Sequence, residues 1–287
     1  MNIYEQVTTR IMELLETGTI PWKKLWISSD GPKNLISKKP YRGINQFLLN
    51  CSPYSSSYWL TYRQAAERGG QVRGGEKSTP VVFWKWLDCK VVSEDDDNEA
   101  TGKVPLLRYY NVFNLDQIDG IEPPTEDQPT NPFSPIDQAE EVIRSMPYRP
   151  LIQYGGDRAF YSPSVDYIKL PNKGAFKSPE EYYSTAFHEL VHATGNANRL
   201  GRKGILEPSY FGSHDYSQEE LVAEFGASML CGHAGIEQQT IDNSAAYIQG
   251  WLKVLKSDKK LAIVAAGQAQ RAADFILNIH SPNDEQT

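Results

Sequence analysis

The chain has 287 residues, 40% of them hydrophobic and 23% charged, and carries a net charge of −7, enough length for two cores of ordinary size. Three scattered cysteines, Cys51, Cys89 and Cys231, exclude a disulfide framework and fit a reducing cytosol. Acids at Glu5, Glu13 and Glu16 interrupt any signal-peptide run, and no stretch reaches eighteen consecutive apolar residues, so a soluble protein with no membrane partner is expected.

In chain order, Ile3, Val7, Ile11, Leu14 and Leu15 fall at helical spacing and are closed by Gly18, which predicts an amphipathic helix packed on the N-terminal domain. A loop with Trp22, Lys23, Lys24 and Trp26 follows, then helices over 43–50 and 61–68. Residues 79–92 alternate and are rich in Val, Phe and Trp, which predicts a strand; 105–114 is its expected partner, and the acidic stretch 93–103 is a solvated hairpin tip. The fold class expected is α+β with two domains, the first made of helices and a small antiparallel sheet.

Charge is distributed unevenly. Residues 1–90 hold thirteen Lys/Arg against seven Asp/Glu, whereas 121–287 hold fourteen against twenty-two. Five of the six tryptophans also lie in the first ninety residues. Flat aromatic faces and a cationic track are what sequence-tolerant binding of single strands needs. Trp22 and Trp26 are the stacking candidates, because Trp59, Trp84 and Trp86 are equally well explained as the core of a small sheet. Arg42 and Lys77 adjoin glycines that let a backbone approach, and together with Lys24 and Arg73 are the candidate phosphate contacts.

The stretch 120–135 contains five prolines and no apolar period, which marks a linker; the boundaries expected are 1–120, 121–135 and 136–287. Beyond it come a short helix over 137–146 and strands over 151–154 and 165–170, with 160–170 the candidate edge for an extended peptide. Ser178-Pro179-Glu180-Glu181 opens a capped helix that carries His188-Glu189-Leu190-Val191-His192 and ends near Gly195. At i and i+4 the two imidazoles share one helix face and can reach one metal ion, and Glu189 is placed to take a proton from a bound water. A third ligand is needed. A second helix, expected to be capped by Ser217, offers Glu220 as that ligand, with Glu224 one turn on fixing the outer nitrogen of a ligating histidine and Glu219 pointing about a quarter-turn away. Glu224 is the alternative ligand, and His214, in a Gly/Ser/Asp loop, ranks below both. Tyr161, Tyr210, His214 and Tyr216 are candidates to stabilise an oxyanion. Two amphipathic helices, 239–255 and 259–279, complete the chain, with Trp251 expected in the core.

The runs Ala159-Phe160-Tyr161-Ser162-Pro163, Asp166-Tyr167-Ile168-Lys169-Leu170-Pro171, HELVHATG at His188 and EELVAEFGA at Glu219 resemble the zincin-like metallopeptidase domain of ArdC-type antirestriction proteins. Pro21-Trp22-Lys23-Lys24-Leu25-Trp26, Tyr41-Arg42-Gly43-Ile44-Asn45, Trp59-Leu60-Thr61-Tyr62-Arg63-Gln64-Ala65 and Gly75-Glu76-Lys77 resemble their N-terminal single-stranded-DNA-binding domain, shared with TraC-type plasmid primases. The resemblance implies a mainly helical second domain and one divalent metal, zinc first and manganese second. Its expected partners are single-stranded DNA and a host protein substrate. It also implies a cytoplasmic protein carried into a recipient cell during conjugation, where it shields incoming DNA from restriction. Two other readings fit the same residues: a DNA-binding module whose metal only staples the fold, and a cytosolic peptidase whose basic domain recognises an acidic protein.

Overall fold

The computed structural model describes residues 2–17, 20–21, 31–91, 100–124, 135–207, 213–236 and 245–279. Asn2 opens α1 (Ile3–Glu16) with a reciprocal cap: its side chain accepts from Glu5 N while the Glu5 carboxylate accepts from Asn2 N, both at 2.9 Å. Strand β1 (Lys33–Asn34), helix α2 (Ile44–Asn50), strand β2 (Tyr58–Leu60), helix α3 (Tyr62–Glu67) and strand β3 (Gln71–Val72) precede a long hairpin, β4 (Thr79–Val91) and β5 (Ala100–Asn114). A two-residue β6 (Ile118–Asp119) pairs with β3.

The main N-terminal sheet runs β1-β2-β5-β4, and its one parallel pair, β1 with β2, departs from the all-antiparallel expectation. β5 also starts at Ala100, five residues before the Pro105 expected from the sequence. Pro105 is tolerated because among the described residues β2 pairs β5 only at Asn114 and Phe113, so no described strand needs an N–H on that side.

The C-terminal half opens with α4 (Pro135–Ser145) and a three-stranded sheet, β7 (Leu151–Tyr154), β8 (Phe160–Ser162) and β9 (Tyr167–Leu170), ordered β7-β9-β8. Five helices follow: α5 (Pro179–Thr194), α6 (Lys203–Leu206), α7 (His214–Ala234), α8 (Ala245–Ser257) and α9 (Leu261–Ile276). The fold is α+β. Among the described residues no helix is long and apolar enough to cross a membrane.

The two halves share one core. Val7, Ile11 and Leu15 of α1, Phe47 of α2, Val82 of β4 and Leu107 of β5 join the same buried cluster as Phe187, Leu221, Phe225, Trp251 and Ile276. The ring centroids of Phe47 and Phe225 are 4.7 Å apart. α1 therefore does not pack only on its own half: it lies on α8 and α9, and the fully buried Thr8 donates to the Lys259 carbonyl at 2.8 Å. An amphipathic stripe states that a face is buried but not against what. Two smaller clusters, one including Leu60 and Ile118 and the other Trp59 and Val112, stay within the N-terminal half.

This shared core predicts one cooperative unfolding transition for the whole chain. Phe47→Ala should lower stability by about 3–5 kcal/mol, the usual cost of truncating a buried Phe, and shift urea curves followed by circular dichroism and by tryptophan fluorescence together. Two separated transitions, with only one moved, would contradict a common core.

Candidate metal centre

Local sequence builds α5 rigidly. The Ser178 side chain accepts from Glu181 N at 3.2 Å, Pro179 occupies the first turn, and the Glu181 carboxylate reaches back to Lys177 N at 2.7 Å. Burial covers most of the helix, from Tyr182 through Phe187 and again from Glu189 to Val191. His188 and His192 thus have fixed positions, with their Nε2 atoms 3.1 Å apart.

From α7, Glu220 faces both imidazoles: its carboxylate oxygens lie 3.6 Å from His188 Nε2 and 3.8 Å from His192 Nε2. Among the described residues these three form a group whose ligand atoms all fall within 4.8 Å of one another. Bonds of 2.0–2.1 Å in a tetrahedron put ligand atoms roughly 3.3 Å apart, so the donor set fits a zinc-sized cation.

The electrostatics fit a cation as well. Burial alone would strip His188 of its proton, but the Glu220 carboxylate, followed by the charges of Glu189 and Glu224, pushes its pKa up to about 9. Burial also disfavours the Glu220 anion, yet His188, His192 and the Tyr216 hydroxyl hold its pKa down to about 2. The carboxylates draw positive charge to the point where the imidazoles meet, and a metal ion would displace a proton there.

The outer nitrogen of His192 belongs to Glu219, at 3.2 Å from Nδ1. That leaves Nε2 to face Glu220. From the sequence this role is expected of Glu224 at one of the two histidines, with Glu219 about a quarter-turn away; at His192 it is Glu219 that stands beside the ring. α7 is buried on nearly every side, so a residue a quarter-turn from Glu220 still meets protein, here Arg202 just before α6. Arg202 donates Nε to Glu219 Oε2 at 2.9 Å and Nη2 to Oε1, and caps α5 by donating to the Val191 carbonyl at 2.7 Å and to Thr194 Oγ1. Burial raises the Glu219 pKa, but Arg202 and His192 together hold it below the usual value. Glu224 acts on His188 through its charge.

The three ligand-type residues and Glu189 line a cleft of about 870 Å³ that is lined as well by Phe160 and Tyr161 of β8. Within the expected edge segment 160–170, β9 lies between β7 and β8, so among the described residues only Phe160–Ser162 of β8 stands at an edge of the sheet. The Tyr161 hydroxyl donates to Asp166 at 2.8 Å and accepts from Asn196 at 2.9 Å. Arg199 completes this clamp, donating to both Asp166 oxygens at 2.9 Å and to the Ala193 carbonyl of α5 at 3.0 Å, so the strand and the histidine helix are tied together.

Tyr216 also lines the cleft; burial, then the Glu220 carboxylate it hydrogen-bonds, push its pKa up to about 12. His214 is not in a loop. It is the first residue of α7, which is capped by Ser213 rather than Ser217, and its ring bonds Asp258 at 3.0 Å outside the cleft lining. Tyr210 lies outside the described residues.

Residues 1–113 match the family described as the N-terminal domain of anti-restriction factor ArdC, and residues 137–268 match the zincin-like metallopeptidase family. The crystal structure of the antirestriction protein ArdC from plasmid R388, in its metal-free form, is similar at a TM-score of 0.76 and 38% identity over 97% of this chain and 98% of that one. The chain belongs to the ArdC antirestriction family. The Mn(II)-bound structure of the same R388 protein is similar at a TM-score of 0.75 and 37% identity, with the same coverage of both chains. Two DNA primases TraC of Escherichia coli are 38% and 36% identical over 96% of this chain, which spans only 27% and 20% of their length. An uncharacterised protein of Sinorhizobium fredii, y4eC, is 34% identical over 96% of this chain and 91% of its own.

Within this ArdC-family chain the nucleic-acid candidates are dispersed. Trp22, Lys24 and Trp26 lie outside the described residues. Arg42 is bridged to Asp274 of α9, and Arg73 pairs with Glu76 at 3.1 Å and Asp119 at 3.3 Å while also bonding the Asp116 carbonyl. Lys77 is exposed and makes no ion pair among the described residues.

The clamp gives a pH dependence. The Arg199 guanidinium holds the Asp166 carboxyl below its ordinary pKa despite some burial. A depressed folded pKa means that the stabilisation is present above the unfolded value, about 3.9, and is lost as pH falls through the folded one. Urea midpoints of the native protein should therefore drop as the medium is acidified below about pH 4, and Asp166→Asn should be less stable at pH 7 with a shallower acid slope. An unchanged slope would contradict the clamp.

Proposed function

We propose that this ArdC-family chain is an antirestriction protein that binds single-stranded DNA through its N-terminal half and cleaves a protein through its C-terminal half. The peptidase reading rests chiefly on one observation: His188, His192 and Glu220 converge beside Glu189 in a cleft bordered by an open strand edge. A structural zinc is closed by four protein ligands, whereas three ligands and an open side suit catalysis. That arrangement favours a peptidase over a metal that merely staples the fold.

His188, His192 and Glu220 would hold the cation, zinc or manganese, which when bound polarises a substrate carbonyl and acidifies a water. Glu189 takes the proton of the attacking water onto its carboxylate and returns it to the leaving amine. The Tyr216 hydroxyl, beside Glu220, is the donor for the developing oxyanion. β8 pairs with an extended peptide backbone, for among the described residues it has no strand on its outer side. Glu219 holds the His192 ring in position, and Glu224 adds negative charge near His188.

The nucleic-acid reading rests on the positive balance and aromatic content of residues 1–90 and on the family to which the chain belongs. The protein would enter the recipient cytoplasm with incoming plasmid DNA, cover the single strand, and act there on a host protein.

Glu189→Gln should keep the bound metal, measured by elemental analysis, while cleavage of unstructured peptides falls by about 10²–10⁴-fold; equal cleavage would remove Glu189 from the chemistry. In anisotropy titrations the wild type should prefer labelled single strands to duplex and lose affinity as salt rises. Indifference to strandedness or to salt would sink the DNA reading.

A further inference from the structure

We propose that one face of the β4–β5 hairpin, built from Phe83, Lys85, Arg108 and Tyr110, is the platform on which the single strand lies. The inference rests on the DNA-binding reading above and names its surface.

The placement follows from strand alternation. Val81, Phe83 and Lys85 of β4 lie opposite Tyr110, Arg108 and Leu106 of β5, so these residues share one face. At the base of that face Val81 and Val112 are buried with Tyr41, Leu49 and Trp59. Farther along, the covering ends. Phe83 is 41% exposed and Tyr110 39%, and Lys85 and Arg108 are exposed as well. On the opposite face Val82 and Leu107 enter the shared core and Trp84 packs against Tyr4, while Trp84 and Tyr109 keep 45% and 49% of their surface exposed.

The exposed face is also preorganised. The rings of Phe83 and Tyr110 are 5.7 Å apart, and the Tyr110 hydroxyl lies beside that of the buried Tyr41. The edge of β4 is pinned by Asn45, whose side-chain amide donates to the Val82 carbonyl at 2.7 Å and accepts from Val82 N at 2.8 Å.

Charge identifies the occupant. Arg42 and Arg73 are each paired with carboxylates, which a phosphate would have to displace. Lys85 and Arg108 make no ion pair among the described residues, and Arg108 sits directly across from Phe83. Aromatic rings interleaved with cations that make no ion pair among the described residues match bases and phosphates of an unpaired strand, whereas a purely apolar patch would match a protein. The stacking candidates read from the sequence, Trp22 and Trp26, lie outside the described residues; on this face the rings are those of Phe83 and Tyr110.

The full-length protein and a labelled oligothymidylate provide the test. The double variant Phe83→Ala/Tyr110→Ala should bind about tenfold or more weakly at every salt concentration, with the salt slope unchanged. Lys85→Gln/Arg108→Gln should reduce the slope of log affinity against log salt by about 1.4, since each phosphate contact on a single strand contributes about 0.7. Phe83→Leu/Tyr110→Leu, which keeps apolar bulk without a stacking face, should behave like the alanine pair, and thermal melts compare the folds. If the wild type binds single strands and all three variants bind equally well with the same slope, the platform is overturned while the DNA reading stands, and the face belongs to a protein or a second copy. If the wild type binds no single strand, both fall.

Discussion

The site depends on how closely α5 and α7 can approach. Two histidines one turn apart supply only two donors, and the third must come from a neighbouring helix at side-chain reach. Gly226 makes that distance available: a Cβ there would sit 2.7 Å from Val191 Cγ2, closer than real contacts allow. Gly195 and Gly204 similarly admit Ile205 and Glu219. The close approach also buries Glu219 and Arg202, an ion pair whose desolvation cost is offset only by dense hydrogen bonding. Arg202 supplies it through bonds to the carboxylate, to Val191, His192 and Thr194 of α5 and, through Glu219, to the His192 ring. The pair therefore acts less as a source of stability than as a register pin between the helix that carries the histidines and the helix that carries Glu220.

α7 carries a second constraint on its other side. Phe225, next to Gly226, stacks on Phe47 of α2, and a polar seam runs beside this contact: Gly43 N and Gln46 Nε2 both donate to Gln270 Oε1, and Arg42 bridges to Asp274. The N-terminal half is thus fixed to the helices that frame the cleft rather than tethered to them by chain alone. Arg42, which reads from the sequence as a phosphate contact, lies in a run, Tyr41-Arg42-Gly43-Ile44-Asn45, that also makes bonds within the protein. Arg42 and Gly43 face α9, Asn45 secures β4, and Tyr41 lies beside Tyr110.

What could be read from the sequence follows from range. The α5 helix was legible because its cap, its proline and its i, i+4 histidines all lie within sixteen residues of helix and act locally. Glu220 was reachable for the same reason, as a carboxylate at helical spacing. The start of α7 was misplaced by four residues because Ser213 and Ser217 offer equal capping chemistry, and only the observed bond from Tyr216 N to Ser213 decides between them. Glu219 meets His192 because α7 is buried on nearly every side, so a quarter-turn from Glu220 carries no meaning without its neighbours. Arg42 and Asp274 are 232 residues apart, and no local pattern announces such a pair. The exposed hairpin face was hidden for a related reason: alternation marks two faces of a strand but does not say which one the rest of the chain covers.

The central claim is that two imidazoles from α5 and one carboxylate from α7 hold a single divalent cation. The most direct measurement is an anomalous difference map from crystals grown with manganese or zinc, collected on both sides of the metal's absorption edge. The account predicts one peak at metal-bonding distance, about 2.0–2.2 Å for zinc, from His188 Nε2, His192 Nε2 and a Glu220 oxygen. A map with no peak among these atoms, or with the metal bound elsewhere, would contradict it.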